Sequence, residues 1–184
     1  MRLFFALWPD TDTRARIAAT AAALCLDGHA KPVPRENYHL TLAFIGEVAP
    51  IEVAVLRQIG AAQRATRCRI RIDACEYWPQ SQVLVAAAQA PPLQLSELQE
   101  RLRDDLALRP TAAAPDRPHP VWRAHVTLAR KVAQAPVLQA MSHFYWNAES
   151  FSLVRSDSAG AHSIYTVVDT WPLLYGTPNK SKSL

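Results

Sequence analysis

Cysteine is scarce in this chain: Cys25, Cys68 and Cys75 are the only three in 184 residues. An odd count with no CxxC pair gives no disulfide framework and no thiolate motif for zinc or redox work. Three small buried hydrophobes are the simplest reading. Glycine is also rare, 5 residues against 14 prolines, which excludes a Gly-rich linker protein or a collagen-like repeat. No apolar run approaches the roughly 20 residues of a membrane-spanning helix. The N-terminal stretch Met1–Trp8 stops at Pro9-Asp10, too short for the core of a signal peptide. The expectation is a cytoplasmic protein with no membrane partner. Neither sign of charge dominates, because 20 Lys and Arg face 16 Asp and Glu for a net +4. That balance permits a phosphate or nucleic-acid partner without requiring one. What is abundant is apolar content, 49% against 20% charged, enough for a folded core in one domain or two tightly packed lobes. Sixteen of the basic residues are Arg, the side chain best shaped for forked contacts to phosphate.

Periodicity divides the chain into alternating strands and helices. Residues 2–8 read as a buried strand, and Pro9-Asp10-Thr11-Asp12 supplies an N-cap and an acidic first turn for an Ala-rich helix from Thr13 to Leu26 that stops near Gly28. A Pro-bearing loop at 31–34 leads to a strand over 38–45 ended by Gly46, and Pro50 opens a helix to about Ala62. Residues 67–74 alternate strictly, with Arg67, Arg69 and Arg71 on the outer face, as a half-exposed antiparallel strand does. The order then repeats: a strand over 83–88, an amphipathic helix from Leu93 to Leu108, a Pro-rich loop over 109–121 and a strand over 124–129. Strand-like runs at 149–155 and 163–168 close the chain. The expected fold is α+β, with two pseudo-symmetric lobes, each a small antiparallel sheet backed by helices, and a cleft between them. Residues 1–176 form the single bilobal domain of this reading, and 177–184 a polar tail.

The strand after each helix carries the same tetrapeptide form, His39-Leu40-Thr41-Leu42 and His125-Val126-Thr127-Leu128. Chance placement of this chain's His, Thr and Leu predicts only about 0.035 such His-x-Thr-Leu matches. On a strand, residues i and i+2 leave the same face, so each His shares a face with its Thr while the Leu residues point into the core. Two facing imidazoles suit general acid–base catalysis near neutral pH, and two hydroxyls can hold a phosphoryl oxygen between them. Phosphoryl transfer consists mostly of positioning and charge stabilisation, so no metal is needed in this reading. A zinc site is the rival. One His and one Thr per strand, with no grouped carboxylate or thiolate, make a poor ligand set. His29, His119, His143 and His162 share no spacing and read as loop or surface residues. Phe4, Phe5, Trp8, Tyr38 and Trp122 are candidates either for the core or for stacking a base at the cleft mouth.

These motifs and their flanks, Asn37-Tyr38-His39 through Glu47-Val48 and His125 through Arg130, resemble the two-histidine phosphoesterase superfamily. Within it the chain looks like the bacterial RNA 2',3'-cyclic phosphodiesterases once named 2'-5' RNA ligases. The opening Arg2–Ala6 and the late Phe151–Ser156 extend the likeness over nearly the whole chain. The resemblance implies metal-independent, cofactor-free hydrolysis of a terminal 2',3'-cyclic phosphate to a 2'-phosphate, with weak reverse 2'-5' ligation allowed. RNA ends or small cyclic nucleotides would be the substrate, and no obligatory protein partner is indicated. It implies His39 as proton donor, His125 as proton acceptor, and Thr41 and Thr127 as phosphate ligands. Arg130 lies where relatives often carry a basic residue, yet its odd spacing from Thr127 would separate their faces on a regular strand. A solvated strand-end Arg is the other reading. Relatives commonly have Pro before the second His, whereas this chain has Trp122-Arg123-Ala124. Other small cyclic phosphates, 2'-5'-linked oligonucleotides and a non-catalytic RNA-binding module are the alternatives, since the motifs report on the phosphate and not on what carries it.

Overall fold

The computed structural model describes residues 1–24, 29–109, 121–138, 141–159 and 162–176. Its elements are β1 (Arg2–Leu7), α1 (Thr11–Ala22), β2 (Lys31–Pro32), β3 (Leu40–Glu47), α2 (Val53–Ala62), β4 (Cys68–Ile72), β5 (Ala74–Trp78), β6 (Val83–Ala87), α3 (Leu93–Ala107), β7 (His125–Arg130), β8 (Phe144–Ala148), β9 (Ser150–Ala159) and β10 (His162–Pro172). α1 starts where the Asp10 carboxylate accepts from the Thr13 backbone N–H at 2.8 Å, satisfying a donor that the first turn leaves open. The expected end of this helix near Leu26, with Cys25 and Gly28, lies outside the described residues, as do the 110–120 loop with His119 and the 177–184 tail. No helix is long and apolar enough to cross a membrane among the described residues.

Eight strands form one antiparallel sheet in the order β10-β9-β1-β3-β7-β6-β5, with β2 also alongside β7. β4 and β8 form a separate two-stranded ribbon. The large sheet divides into halves, because β3 and β7 share a single pair, Leu40 opposite Val126. The α+β architecture matches the sequence expectation, and the structure adds which helix backs which half. α1 follows β1 but packs on β7 and β8, while α3 follows β6 but packs on β3. Each helix therefore crosses to the other half. Leu95, Leu98, Leu102 and Leu106 of α3 join Leu40, Leu42, Val126 and Leu128 in one continuous core. Each fully buried Leu there contributes about 1.5–3 kcal/mol, so the join is held by the core beneath it rather than by strand pairing.

Three strands escape the sequence reading. β2 occupies the expected loop, where Lys31 and Pro32 lie opposite Arg130 and Ala129. β5 is half-buried on both faces, which erases the period-two contrast. β8 alternates cleanly, with Phe144, Trp146 and Ala148 inward, but its three consecutive aromatics hide that pattern. The expected stop at Gly46 is also displaced. Gly46 takes φ +84°, a left-handed conformation open to glycine, and the strand runs on to Glu47 through a register shift.

The second face of the large sheet carries two small apolar patches, one per half. Phe4, Ala6 and Val154 gather Trp8 and Tyr165; Val83, Val85 and Ala87 gather Ala74 and Trp78. Between these patches lies the join of β3 and β7.

Candidate active site

The single β3–β7 pair decides where the motif residues point. Leu40 and Val126 are fully buried in the core, so the residues on either side of each point to the opposite face. Those neighbours are His39, Thr41, His125 and Thr127. Extending the antiparallel register by one residue each way sets His39 beside Thr127 and Thr41 beside His125. Trp122 fastens the join from the side, its Nε1 donating to the Thr41 carbonyl at 3.1 Å.

Both imidazoles are held alike by the backbone. His39 Nδ1 lies 2.7 Å from the Asn37 carbonyl, and His125 Nδ1 lies 2.7 Å from the Arg123 carbonyl. A carbonyl only accepts, so Nδ1 carries the hydrogen and Nε2 is left as acceptor when the ring is neutral and donor when it is charged. Their surroundings differ. His39 sits among Phe4, Trp8 and Tyr165, with ring centroids 5.0, 5.5 and 5.0 Å away. The Trp8 Nε1–H is buried there without an acceptor among the described residues. His125 lies 4.6 Å from the Trp78 ring, beside the Glu76–Arg123 ion pair at 2.6 Å. Burial pushes the His39 pKa down to about 4, helped by the charges of Arg130 and His125 and opposed by the Asn37 bond. Burial lowers His125 as well, with Arg123 and Arg130 adding to it while its backbone bond and Glu76 oppose it.

A β-bulge settles the orientation of Arg130. Thr127 lies opposite Val85, but Ala129 rather than Leu128 lies opposite Leu84. The extra residue on β7 shifts its side-chain alternation by one. Cross-strand partners share a face, and His125, Thr127 and Arg130 pair with Ala87, Val85 and Val83, which share one apolar patch. Arg130 thus shares the histidine face despite its odd spacing. β3 has a bulge at the matching place, with Thr41 opposite Ala6 and Ala43 opposite Phe5. Phe44, opposite Phe4, is therefore the counterpart of Arg130 and is 78% exposed.

A family model described as the 2'-5' RNA ligase superfamily matches residues 9–159. The chain belongs to that superfamily. It is 30% identical to the RNA 2',3'-cyclic phosphodiesterase of Escherichia coli K12, over 94% of this chain and 96% of the relative. Identity is 31% to the protein of the same name from Thermus thermophilus, over 94% and 90%. The crystal structure of E. coli LigT with 3'-AMP matches with a TM-score of 0.81 at 27% identity, covering 94% of this chain and 98% of that one. A solved Thermus thermophilus structure matches with a TM-score of 0.82 at 29% identity, over 96% and 100%.

The other residues singled out in the sequence take structural places in this superfamily member. Phe5 and Tyr38 are buried on the core side, and Phe4 is buried as floor under His39. Trp122 is half-buried as a staple. Arg67, Arg69 and Arg71 form a solvated face, engaged with Glu149, the Tyr145 ring and Asp73. His143 is exposed against Tyr145. Burial raises the Cys68 and Cys75 thiols to about 11, which makes them unreactive. Glu76, Trp78, Phe44 and Tyr165 also line the candidate site, and the sequence did not mark them. The first two lie on an unrecognised strand, but Phe44 was findable by aligning it with Arg130 across the two motifs. Among the described residues no three His, Cys, Asp or Glu side chains group to hold a metal.

Proposed function

We propose that the protein hydrolyses the terminal 2',3'-cyclic phosphate of RNA to a 2'-phosphate with its own side chains as acid and base. The observation that carries this reading is the pair of Nε2 atoms, each freed by a backbone bond at Nδ1, on one face with two threonines and an arginine. His125 Nε2 accepts a proton from water as its oxygen attacks phosphorus. The P–O3' bond breaks, and His39 donates its proton to the leaving 3'-oxygen. His125 ends protonated and His39 neutral, and solvent exchange restores both. The surroundings suit this direction. Dry aromatic walls favour the neutral His39 that donation leaves behind, and the carboxylate of Glu76 favours the imidazolium formed at His125. Thr41 and Thr127 hold the non-bridging oxygens, and Arg130 offsets the charge gathering on them. With a 5'-hydroxyl in place of water, the same steps run as 2'-5' ligation. Phe44 offers an exposed ring on which the terminal base stacks.

The test is turnover of a panel of cyclic phosphates, with and without a 5'-extended RNA, by wild type, His39→Ala and His125→Ala. Each substitution is expected to lower the rate by about 10²–10⁴-fold, and the double variant to be little worse than either single one. Wild-type turnover is expected to survive EDTA. A histidine variant that keeps most of its activity, or loss on chelation with rescue by a divalent ion, would overturn the mechanism.

A further inference from the structure

The two contacts that hold His125 both trace back to one carboxylate. Glu76 Oε1 accepts from the Arg123 guanidinium at 2.6 Å, and Glu76 Oε2 accepts from Trp78 Nε1 at 2.9 Å. Arg123 is the residue whose carbonyl holds His125 Nδ1, and Trp78 is the ring packed on the imidazole at 4.6 Å. The Arg123 guanidinium also lies 5.2 Å over the Trp78 ring. Glu76 is only 21% exposed at its side chain, and burial alone would raise its pKa. The bonds from Arg123 and Trp78, with the Arg123 charge, hold the carboxyl below its usual range instead. It is thus an anion with both oxygens engaged.

We infer that Glu76 is a positioning residue for the reaction at His125, clamping both the ring against the imidazole and the residue whose carbonyl orients it. Among the described residues the other half has no such clamp, and the His39 wall is Phe4, Trp8 and Tyr165. The clamp acts in two ways. It fixes the direction of Nε2, and misplacement of a catalytic group by about 1 Å costs up to 10²-fold in rate. It also neutralises Arg123, which otherwise disfavours a proton on His125. The charged groups facing His125 are Glu76 on β5, Arg123 before β7, Arg130 at its end and His39 across the join. Among the described residues, Glu76 is the one anion of this group.

The kinetic part of this inference rests on the functional reading above; the geometric part does not. The experiment is therefore double. In the ligand-free protein, NMR titration of the His125 ring is expected to show a lower midpoint in Glu76→Gln than in wild type, because the anion is gone and Arg123 is not. Glu76→Asp keeps the charge but is too short to reach both donors, so its midpoint is expected to stay near wild type. On a 2',3'-cyclic phosphate both variants are expected to lose about tenfold or more in rate from misplacement. An unmoved His125 midpoint in Glu76→Gln, or a rate within twofold of wild type, would overturn the clamp. If His125→Ala is inactive while Glu76→Gln is fully active, the clamp fails and the functional reading stands. If wild type turns over no cyclic phosphate, that reading fails, and the titration midpoint still decides the clamp.

Discussion

The two halves of the large sheet share a backbone plan and differ in the chemistry placed on it. Each supplies a His, a Thr two residues on, a bulge after that Thr, and an exposed residue beyond the bulge. In the β3 half that last residue is Phe44, and the histidine is walled by aromatics. In the β7 half it is Arg130, and the histidine has an ion pair beside it. A pseudo-two-fold scaffold therefore positions equivalent imidazoles, and its broken symmetry makes them inequivalent. Acid–base catalysis needs that inequivalence, since one group must give a proton while the other takes one.

The sharpest way to break the comparison is to remove the two residues beyond the bulges. In the proposed mechanism Arg130→Ala deletes a cation facing the charge that grows on the phosphate, so kcat is expected to fall by about 10²–10³-fold. Phe44→Ala deletes a stacking surface, and its effect is expected mainly in KM for RNA, worth about 1–3 kcal/mol. A cyclic phosphate lacking a base should feel the first substitution and hardly the second. Steady-state kinetics on the two substrates measures both. If Arg130→Ala changes only KM, the strand-end arginine is solvated and the bulge has no catalytic meaning.

How much of this was legible beforehand follows from the same strands. The His-x-Thr-Leu spacing was enough to place Leu40 and Val126 inside and the four polar residues together, because side-chain alternation is fixed by the pleat. The bulges were not legible. They depend on register against β1 and β6, and Ala43 and Ala129 give no local sign of an extra residue. That is why regular parity put Arg130 on the wrong face. Glu76 was hidden for another reason: it belongs to a strand without hydrophobic alternation, and its partners Arg123 and Trp78 come from a later segment and its own strand. The crossing of α1 and α3 to the opposite halves was equally unreadable, since an apolar helix stripe says that a core exists but not which sheet half supplies it.

The smallest expected effect is a displacement along the pH axis, and it tests the inequivalence directly. In the free protein both histidines lie below their ordinary value, His39 near 4 and His125 displaced in the same direction. Activity needs one ring neutral and the other charged, so it falls as pH drops through the lower pKa and again as pH rises through the higher. The kcat/KM profile reports free-protein groups and kcat reports the bound complex. The kcat/KM bell is therefore expected to peak on the acid side of the ordinary histidine value of about 6.5, with its upper limb already falling near neutrality. A bound phosphate anion favours the charged form of both rings, so the kcat bell is expected at higher pH than the kcat/KM bell. Both profiles on one cyclic phosphate, at constant ionic strength, make the measurement. Coincident bells centred above neutrality would mean that the aromatic wall around His39 does not depress its proton affinity. The difference between the halves would then reside in Arg130, Phe44 and the Glu76–Arg123–Trp78 cluster.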